Sequence, residues 1–342
     1  MSTLKVSSIQ NPSTSSGGVS IDTSGNVTLP RVSSINGGQL AGFRNRIMNG
    51  YMRVDQRNAT AGISTGVGTV TYGIDRWYCY ASGAALTMER VDSTAPGFEK
   101  ALRVLGAGGN TVLIIGQRIE ANNAYALAGQ QVTLSFYAAT SGSLTVKWKI
   151  MIPNSANDFS GQTLGVDGTV ATAGTMAKYS ATFTMPAGAT KGAAVEFELT
   201  GGLTTGSIDI TGVQLEPGSV ATPYEYRPIG TELALCQRYY FSDISGRPYQ
   251  FGFGNSSTGW MSGTAGLPQS MRAIPAVVLY GDSGANSVGF LGPDGLNLVV
   301  ASGTSFRLGS AANSTKTIPV QARSSTTGVR GFWFGLTADA EL

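Results

Sequence analysis

This chain reads as an all-β protein, with an extended N-terminal fibrous segment, an antiparallel β-sandwich, a short connector helix and a C-terminal β-sandwich. Three features carry that reading. Apolar residues recur at every second position through much of the chain, 47 glycines in 342 residues supply frequent turns, and only 13% of residues are charged, about half the usual share. With 42% apolar residues, the chain can build two or three cores of ordinary size.

Residues 1–42 stand apart. Val6-Ser7-Ser8-Ile9 returns as Val32-Ser33-Ser34-Ile35, with Val19, Ile21, Val27 and Leu29 between them amid Ser, Thr, Gly and Asn. Ordering each backbone residue costs about 1–2 kcal/mol, more than so few apolar groups contribute by burial. The segment is therefore expected to be disordered or to be completed by other chains, as an intertwined stalk or an anchor strand. Gly37, Gly38 and Gly42 form a joint, and Phe43 opens a composition with larger apolar groups.

Residues 43–228 form the first sandwich. In Leu144 to Ile152 one face is apolar (Leu144, Val146, Trp148, Ile150, Ile152), while Thr145, Lys147, Lys149 and Met151 take the other. Val195, Phe197 and Leu199 likewise oppose Glu196 and Glu198. Gln131 to Phe136, Tyr179 to Met185 and Ser207 to Ile210 repeat the period of two. Many half-buried strands joined by Gly-rich turns imply two antiparallel sheets packed face to face. Residues 229–238 form the connector helix, with Thr231 as N-cap and Glu232 near the positive end of the dipole. Residues 239–342 return to strands at Arg238 to Phe241, Tyr249 to Phe253, Ala276 to Tyr280 and Gly331 to Leu336, with a hairpin signal at Pro293-Asp294-Gly295.

Composition excludes several functions. A net charge of +3 with interspersed signs leaves no field to hold nucleic acid. Arg44, Arg46, Arg53 and Arg57, interrupted by Asp55, read as a solvated face. Nothing approaches the roughly 20 apolar residues that cross a bilayer. The N-terminus lacks the order of a secretion signal, so synthesis and folding in a cytoplasm are expected. Cys79 and Cys236 match no metal or redox spacing and are expected to be reduced and buried. Histidine is absent, which removes Ser-His-Asp and Cys-His machinery and His-ligated zinc. No GxSxG elbow, Walker loop or HExxH segment occurs. Asp75, Glu89, Asp92, Glu120, Glu196, Glu198 and Glu216 could supply a carboxylate pair, but they read as ordinary surface acids. No enzyme activity and no cofactor are expected.

The stretch from Asn45-Arg46-Ile47-Met48-Asn49-Gly50-Tyr51-Met52-Arg53 to Asn58, followed by Asp75-Arg76-Trp77, resembles the opening of a domain of bacteriophage tail-fibre proteins, particularly of phages infecting cyanobacteria and marine bacteria. Asp209 to Pro228 looks like the last strand and exit of that domain. Glu232 to Tyr240 continues the match, and Met271-Arg272-Ala273-Ile274-Pro275 with Ala338 to Leu342 resembles the C-terminal module. The same opening and closing strands are similar, more weakly, to jelly-roll carbohydrate-binding modules. Tyr51-Met52-Arg53 stands where those modules place an acidic residue, and no EF-hand spacing is present, so no metal is expected. The resemblance implies a jelly-roll first domain in a virion fibre subunit of tail or capsid. Together with the self-insufficient repeat it implies a homotrimer, docked on other virion proteins through residues 1–42 and adhering to host-surface glycan. A purely structural decoration or connector protein is the alternative, and a polysaccharide hydrolase a third.

Aromatic faces are what such adhesion would use, because they cover the apolar side of a pyranose. Alternation sends Trp77 and Cys79 to one side and Tyr78 and Tyr80 to the other. Trp77 and Trp148 read as core. Tyr78 and Tyr80 form either an exposed sugar platform or a second packed face or subunit contact. Trp260, flanked by Gly259 and the polar run from Asn255 to Thr258, sits where a loop tip could present it. Tyr78, Tyr80 and Trp260 are thus the candidate carbohydrate-binding residues.

Overall fold

The computed structural model describes residues 43–244 continuously, with 261–281, 315–323 and 331–342, and the shorter pieces 8–9, 19–21, 23–25, 27–28, 249–252, 284–285, 289–291, 297–298 and 305–308. Three short strands, β1 (Ser8–Ile9), β2 (Val19–Ile21) and β3 (Val27–Thr28), pair in an antiparallel sheet. Ile21 is left 38% exposed there, as expected of a segment poor in apolar groups. The second Val-Ser-Ser-Ile copy and the glycine joint before Phe43 lie outside the described residues.

The next twelve strands form two six-stranded sheets. They are β4 (Ile63–Ser64), β5 (Val70–Tyr72), β6 (Tyr78–Ser82), β7 (Thr87–Asp92), β8 (Lys100–Leu105), β9 (Val112–Ile119), β10 (Gln131–Thr140), β11 (Leu144–Ser155), β12 (Asp158–Thr172), β13 (Ala177–Thr184), β14 (Ala193–Thr200) and β15 (Ser207–Pro217). One sheet has the order β13-β10-β15-β8-β7-β4 and the other β12-β11-β14-β9-β6-β5. From β8 onward successive strands mostly alternate between sheets, giving the fours β8-β15-β10-β13 and β9-β14-β11-β12. Those interlocked Greek keys are a jelly roll.

The inner faces hold the residues that alternation sends inward. Trp77, Cys79, Val146, Ile150 and Val195 are fully buried, and Trp148 and Phe197 nearly so. Phe136 of one sheet meets Phe197 of the other at 4.6 Å, and Trp148 stacks on Phe183 at 5.2 Å. Each fully buried side chain of this size contributes about 1.5–3 kcal/mol, so this interlock holds the two layers together. Both cysteines are free and buried.

The loop resembling the fibre family is a set of backbone staples. Asn45 accepts from the Ile47 and Leu215 amides through Oδ1 and donates from Nδ2 to the Val213 carbonyl at 3.1 Å. Asn49, in the left-handed region at φ 52°, donates to the carbonyls of Val54 and Asp75 and accepts from the Val54 amide. The connector helix runs Ile229–Gln237 and starts after Pro228, so Thr231 is not its N-cap. The first helical bond forms upstream of Thr231, where the Glu232 amide donates to the Pro228 carbonyl at 3.1 Å. The Glu232 side chain is 1% exposed, accepts from the Asn49 amide and pairs with buried Arg227.

A second hydrophobic cluster runs from Phe241 to Ala340. Its hub is the strand Gly331–Asp339, which pairs with Tyr240–Asp243, Tyr249–Gly252, Ala276–Gly281 and Gly289–Leu291. A three-stranded sheet, Met261–Gly266, Thr317–Arg323 and Ser305–Leu308, accompanies it. Gly289–Leu291 and Asn297–Leu298 form the expected hairpin, while its turn at Pro293-Asp294-Gly295 lies outside the described residues. Phe253 and the Trp333 side chain also lie outside them.

The basic run is not a uniformly solvated face. Arg57 is nearly buried, bonded to Asp339, close to Glu341 and set over the Tyr240 ring at 3.5 Å. Arg76 is 1% exposed, pairs with Glu341 and lies over Tyr239 at 3.4 Å. Nor are all the acids on the surface. Asp75, Glu120, Glu196 and Glu216 are buried, and each accepts a hydrogen bond, from Gln56, Arg238, Tyr78 and Thr222 respectively.

Candidate functional site

The outward face of the β12-β11-β14-β9-β6-β5 sheet carries a row of residues in register across all six strands: Tyr72, Tyr78, Gly116, Glu196, Lys149 and Asp167. Pleating puts them on one side, opposite the core. A Cβ on Gly116 would lie 2.5 Å from the Tyr78 ring, so the missing side chain lets that ring lie flat across β9. Tyr78 thereby reaches β14, where its hydroxyl donates to Glu196 Oε1 at 2.7 Å. Lys149 sits between Glu196 (3.0 Å) and Glu198 (2.6 Å), and Lys147 pairs with Asp167 at 2.6 Å.

Each charge answers another. Burial, with the Glu196 charge beside it, raises the Tyr78 hydroxyl well above the usual phenol range. Burial works against the Lys149 charge, but the two carboxylates outweigh it and raise the pKa. Burial pushes Tyr72 up to about 12. Tyr72 and Tyr78 therefore stay neutral and Lys149 stays charged near neutrality, and none of the three is a poised acid or base.

Beside this row lies a depression of ≈ 290 Å³, lined by Tyr78, Tyr80, Arg118, Phe159 and Gln162 among others. Tyr80 is partly exposed and unlike Tyr78 has ring surface to offer. Arg118 lies 5.1 Å over Tyr78 and 5.2 Å over Phe159, and it donates to the Leu342 carbonyl. Two buried polar atoms in the groove have no partner: Gln162 Oε1 and Arg118 Nε. A buried acceptor and a buried donor without partners cost about 1–3 kcal/mol each. Among the described residues no group of three or more His, Cys, Asp or Glu is arranged to hold a metal.

Solved structures of similar architecture include a family 4 carbohydrate-binding module (19% identity, 49% of this chain and 97% of that one, TM-score 0.34). Another is the enzymatically active domain of tailspike protein 4 from bacteriophage CBA120 (18%, 52% and 21%, TM-score 0.32). A third is the CBM22-1 xylan-binding domain of Paenibacillus barcinonensis Xyn10C (10%, 55% and 100%, TM-score 0.34). These likenesses describe architecture alone. No family model matches the chain, and no curated protein matches it.

Of the three candidate residues, Tyr78 and Tyr80 line one groove, although Tyr78 at 2% exposure is a wall bonded to Glu196 and offers no open platform. Trp260 lies outside the described residues. Sequence reasoning missed Arg118, Phe159 and Gln162. Arg118 and the Lys149 to Glu196 pair share the outward alternation of Tyr78 and Tyr80, a signal that was legible, whereas the strand register that gathers them was not.

Proposed function

We propose that this chain is a glycan-binding fibre subunit of a phage virion, docked through residues 1–42, assembled as a trimer and adhering to the host surface by its jelly roll. The observation that carries the binding reading is the groove beside Tyr80, whose partly exposed ring offers a face to a sugar. Three acids (Asp167, Glu196, Glu198) and three bases (Lys147, Lys149, Arg118) share this face, so it carries no net charge. Its ligand is therefore a neutral, hydroxyl-rich chain. The fibre, docking and trimer parts rest on the sequence resemblance and on the apolar poverty of the first forty residues. Binding without hydrolysis is part of the proposal, supported by the engagement of Glu196 and Glu198 with Lys149.

A glycan array of neutral host-derived oligosaccharides probed with the full chain tests it. Tyr80→Ala is expected to weaken any hit about tenfold, the worth of one stacked ring, and Gln162→Ala by a smaller factor. Silence across the array, or hits indifferent to both substitutions, sinks the binding reading. A stable monomer by light scattering sinks the trimer.

A further inference from the structure

The outward face of the other six-stranded sheet holds a separate aromatic pocket of ≈ 220 Å³. It begins at a bulge. Where β15 shifts register against β10, between Ser135 and Tyr137, Gly212 adopts φ 60° and the Phe98 ring lies directly over it. A Cβ on Gly212 would come 2.6 Å from that ring, so glycine is needed here for both its backbone angle and its missing side chain. Phe98 meets Tyr137 at 5.2 Å and Tyr224 at 5.1 Å, and Tyr224 meets Tyr226 at 5.0 Å. Tyr226 is 54% exposed, yet its hydroxyl donates to the Gly97 carbonyl at 2.7 Å, which ties the far end of its ring in place. An open aromatic surface tethered at both ends binds with little loss of side-chain freedom.

Charge separates this pocket from the groove. Lys178, directly opposite Tyr137 in register, is exposed and lines the pocket. It is the single charged residue of the lining. Among the described residues none forms an ion pair or side-chain hydrogen bond with Lys178, which leaves its ammonium unanswered. Ring faces cover the C–H side of a pyranose, and a lone cation at the rim calls for an anion. A quaternary ammonium, the other ligand that aromatic walls attract, would be repelled by Lys178.

We propose that this pocket binds an acidic sugar residue of the uronate class, with its ring against Tyr226 and Tyr137 and its carboxylate on Lys178. The site is independent of the groove, and either can exist without the other. Two unlike subsites on opposite faces let one chain engage an acidic and a neutral stretch of the same heteropolysaccharide.

Calorimetric titration of the full chain with α-1,4-linked trigalacturonate tests the proposal, with uncharged galactotriose as comparison. Trigalacturonate is expected to bind, and to bind more weakly as salt is added. Lys178→Gln is expected to weaken it about fivefold and to abolish the salt dependence, while Tyr226→Ala weakens it about tenfold. Tyr226→Phe keeps the ring and should retain most of the affinity. No heat with trigalacturonate, or unchanged affinity in Lys178→Gln, overturns the proposal. So does loss of trigalacturonate binding in Tyr80→Ala, which would place the acid in the groove. A change of oligomeric mass in Tyr226→Ala with unaltered trigalacturonate affinity assigns the aromatic surface to contact between copies, and overturns it as well.

Discussion

Gly116 is the residue on which the groove turns. Its missing side chain admits the Tyr78 ring, and Gly116→Ala would set a methyl 2.5 Å from it. The ring must lift, breaking the bond to Glu196. A cost of about 1–3 kcal/mol is expected, read as a lower urea midpoint at unchanged slope, together with loss of neutral-glycan binding. Asp75 offers a second test. Burial raises its carboxyl to about 6, despite Arg57 nearby and two bonds from Gln56. The folded pKa lies above the unfolded value of about 4, so between these values only the native state keeps the proton. Stability from this group therefore falls as pH rises through that window and is level above it. Relative to Asp75→Asn, the wild type is expected to lose on the order of 2–3 kcal/mol between about pH 4 and 7. Urea unfolding of both at several pH values measures the difference, and a constant gap refutes it.

At the scale of the element, the helix Ile229–Gln237 matters more for one buried contact than for its length. Glu232 joins the Asn49 amide to Arg227, whose guanidinium also donates to the Ile47 carbonyl at 3.1 Å. Glu232→Ala takes the buried partner from the Arg227 cation and leaves it only the more distant Glu225, at 3.8 Å. Breaking such a pair by removing one partner costs about 3–5 kcal/mol, so the variant's thermal midpoint is expected to drop by many degrees. Glu232→Gln, which keeps one acceptor for the Asn49 amide, should lose less. The strands show the complementary case. In β11 and β14 alternation assigns every inward residue correctly, and their outward residues are the ones that interlock across strands.

On the scale of the molecule, the end of the chain clamps the C-terminal strands to the jelly roll. Glu341 pairs with Arg76 and approaches Arg57, while the Leu342 carbonyl accepts from Tyr72 and Arg118. Arg238 and Glu120 add a bond of 2.9 Å between the connector helix and the sandwich. Glu341→Gln weakens the centre of this clamp. Scanning calorimetry is expected to show one cooperative transition in the wild type and two separated ones in the variant. A single transition in both would mean that the remaining contacts, including Arg57 to Asp339 and Arg238 to Glu120, are enough to couple the parts.

The sequence by itself determined the all-β class, the inward sets of β11 and β14 and the outward direction of Tyr78 and Tyr80. Those follow from a period of two that any strand carries within a few residues, because backbone geometry alone sends neighbours to opposite faces. It did not disclose that Asp75, Glu196 and Glu216 are buried, that Arg57 and Arg76 face the C-terminal strands, or that Gln162 joins Tyr80. Tyr78 and Glu196 are 118 positions apart, and their meeting depends on β9 lying between their strands with a glycine at the crossing. Only the tertiary structure decides such things, since cross-strand register is set by the packing of the whole core and by no local pattern.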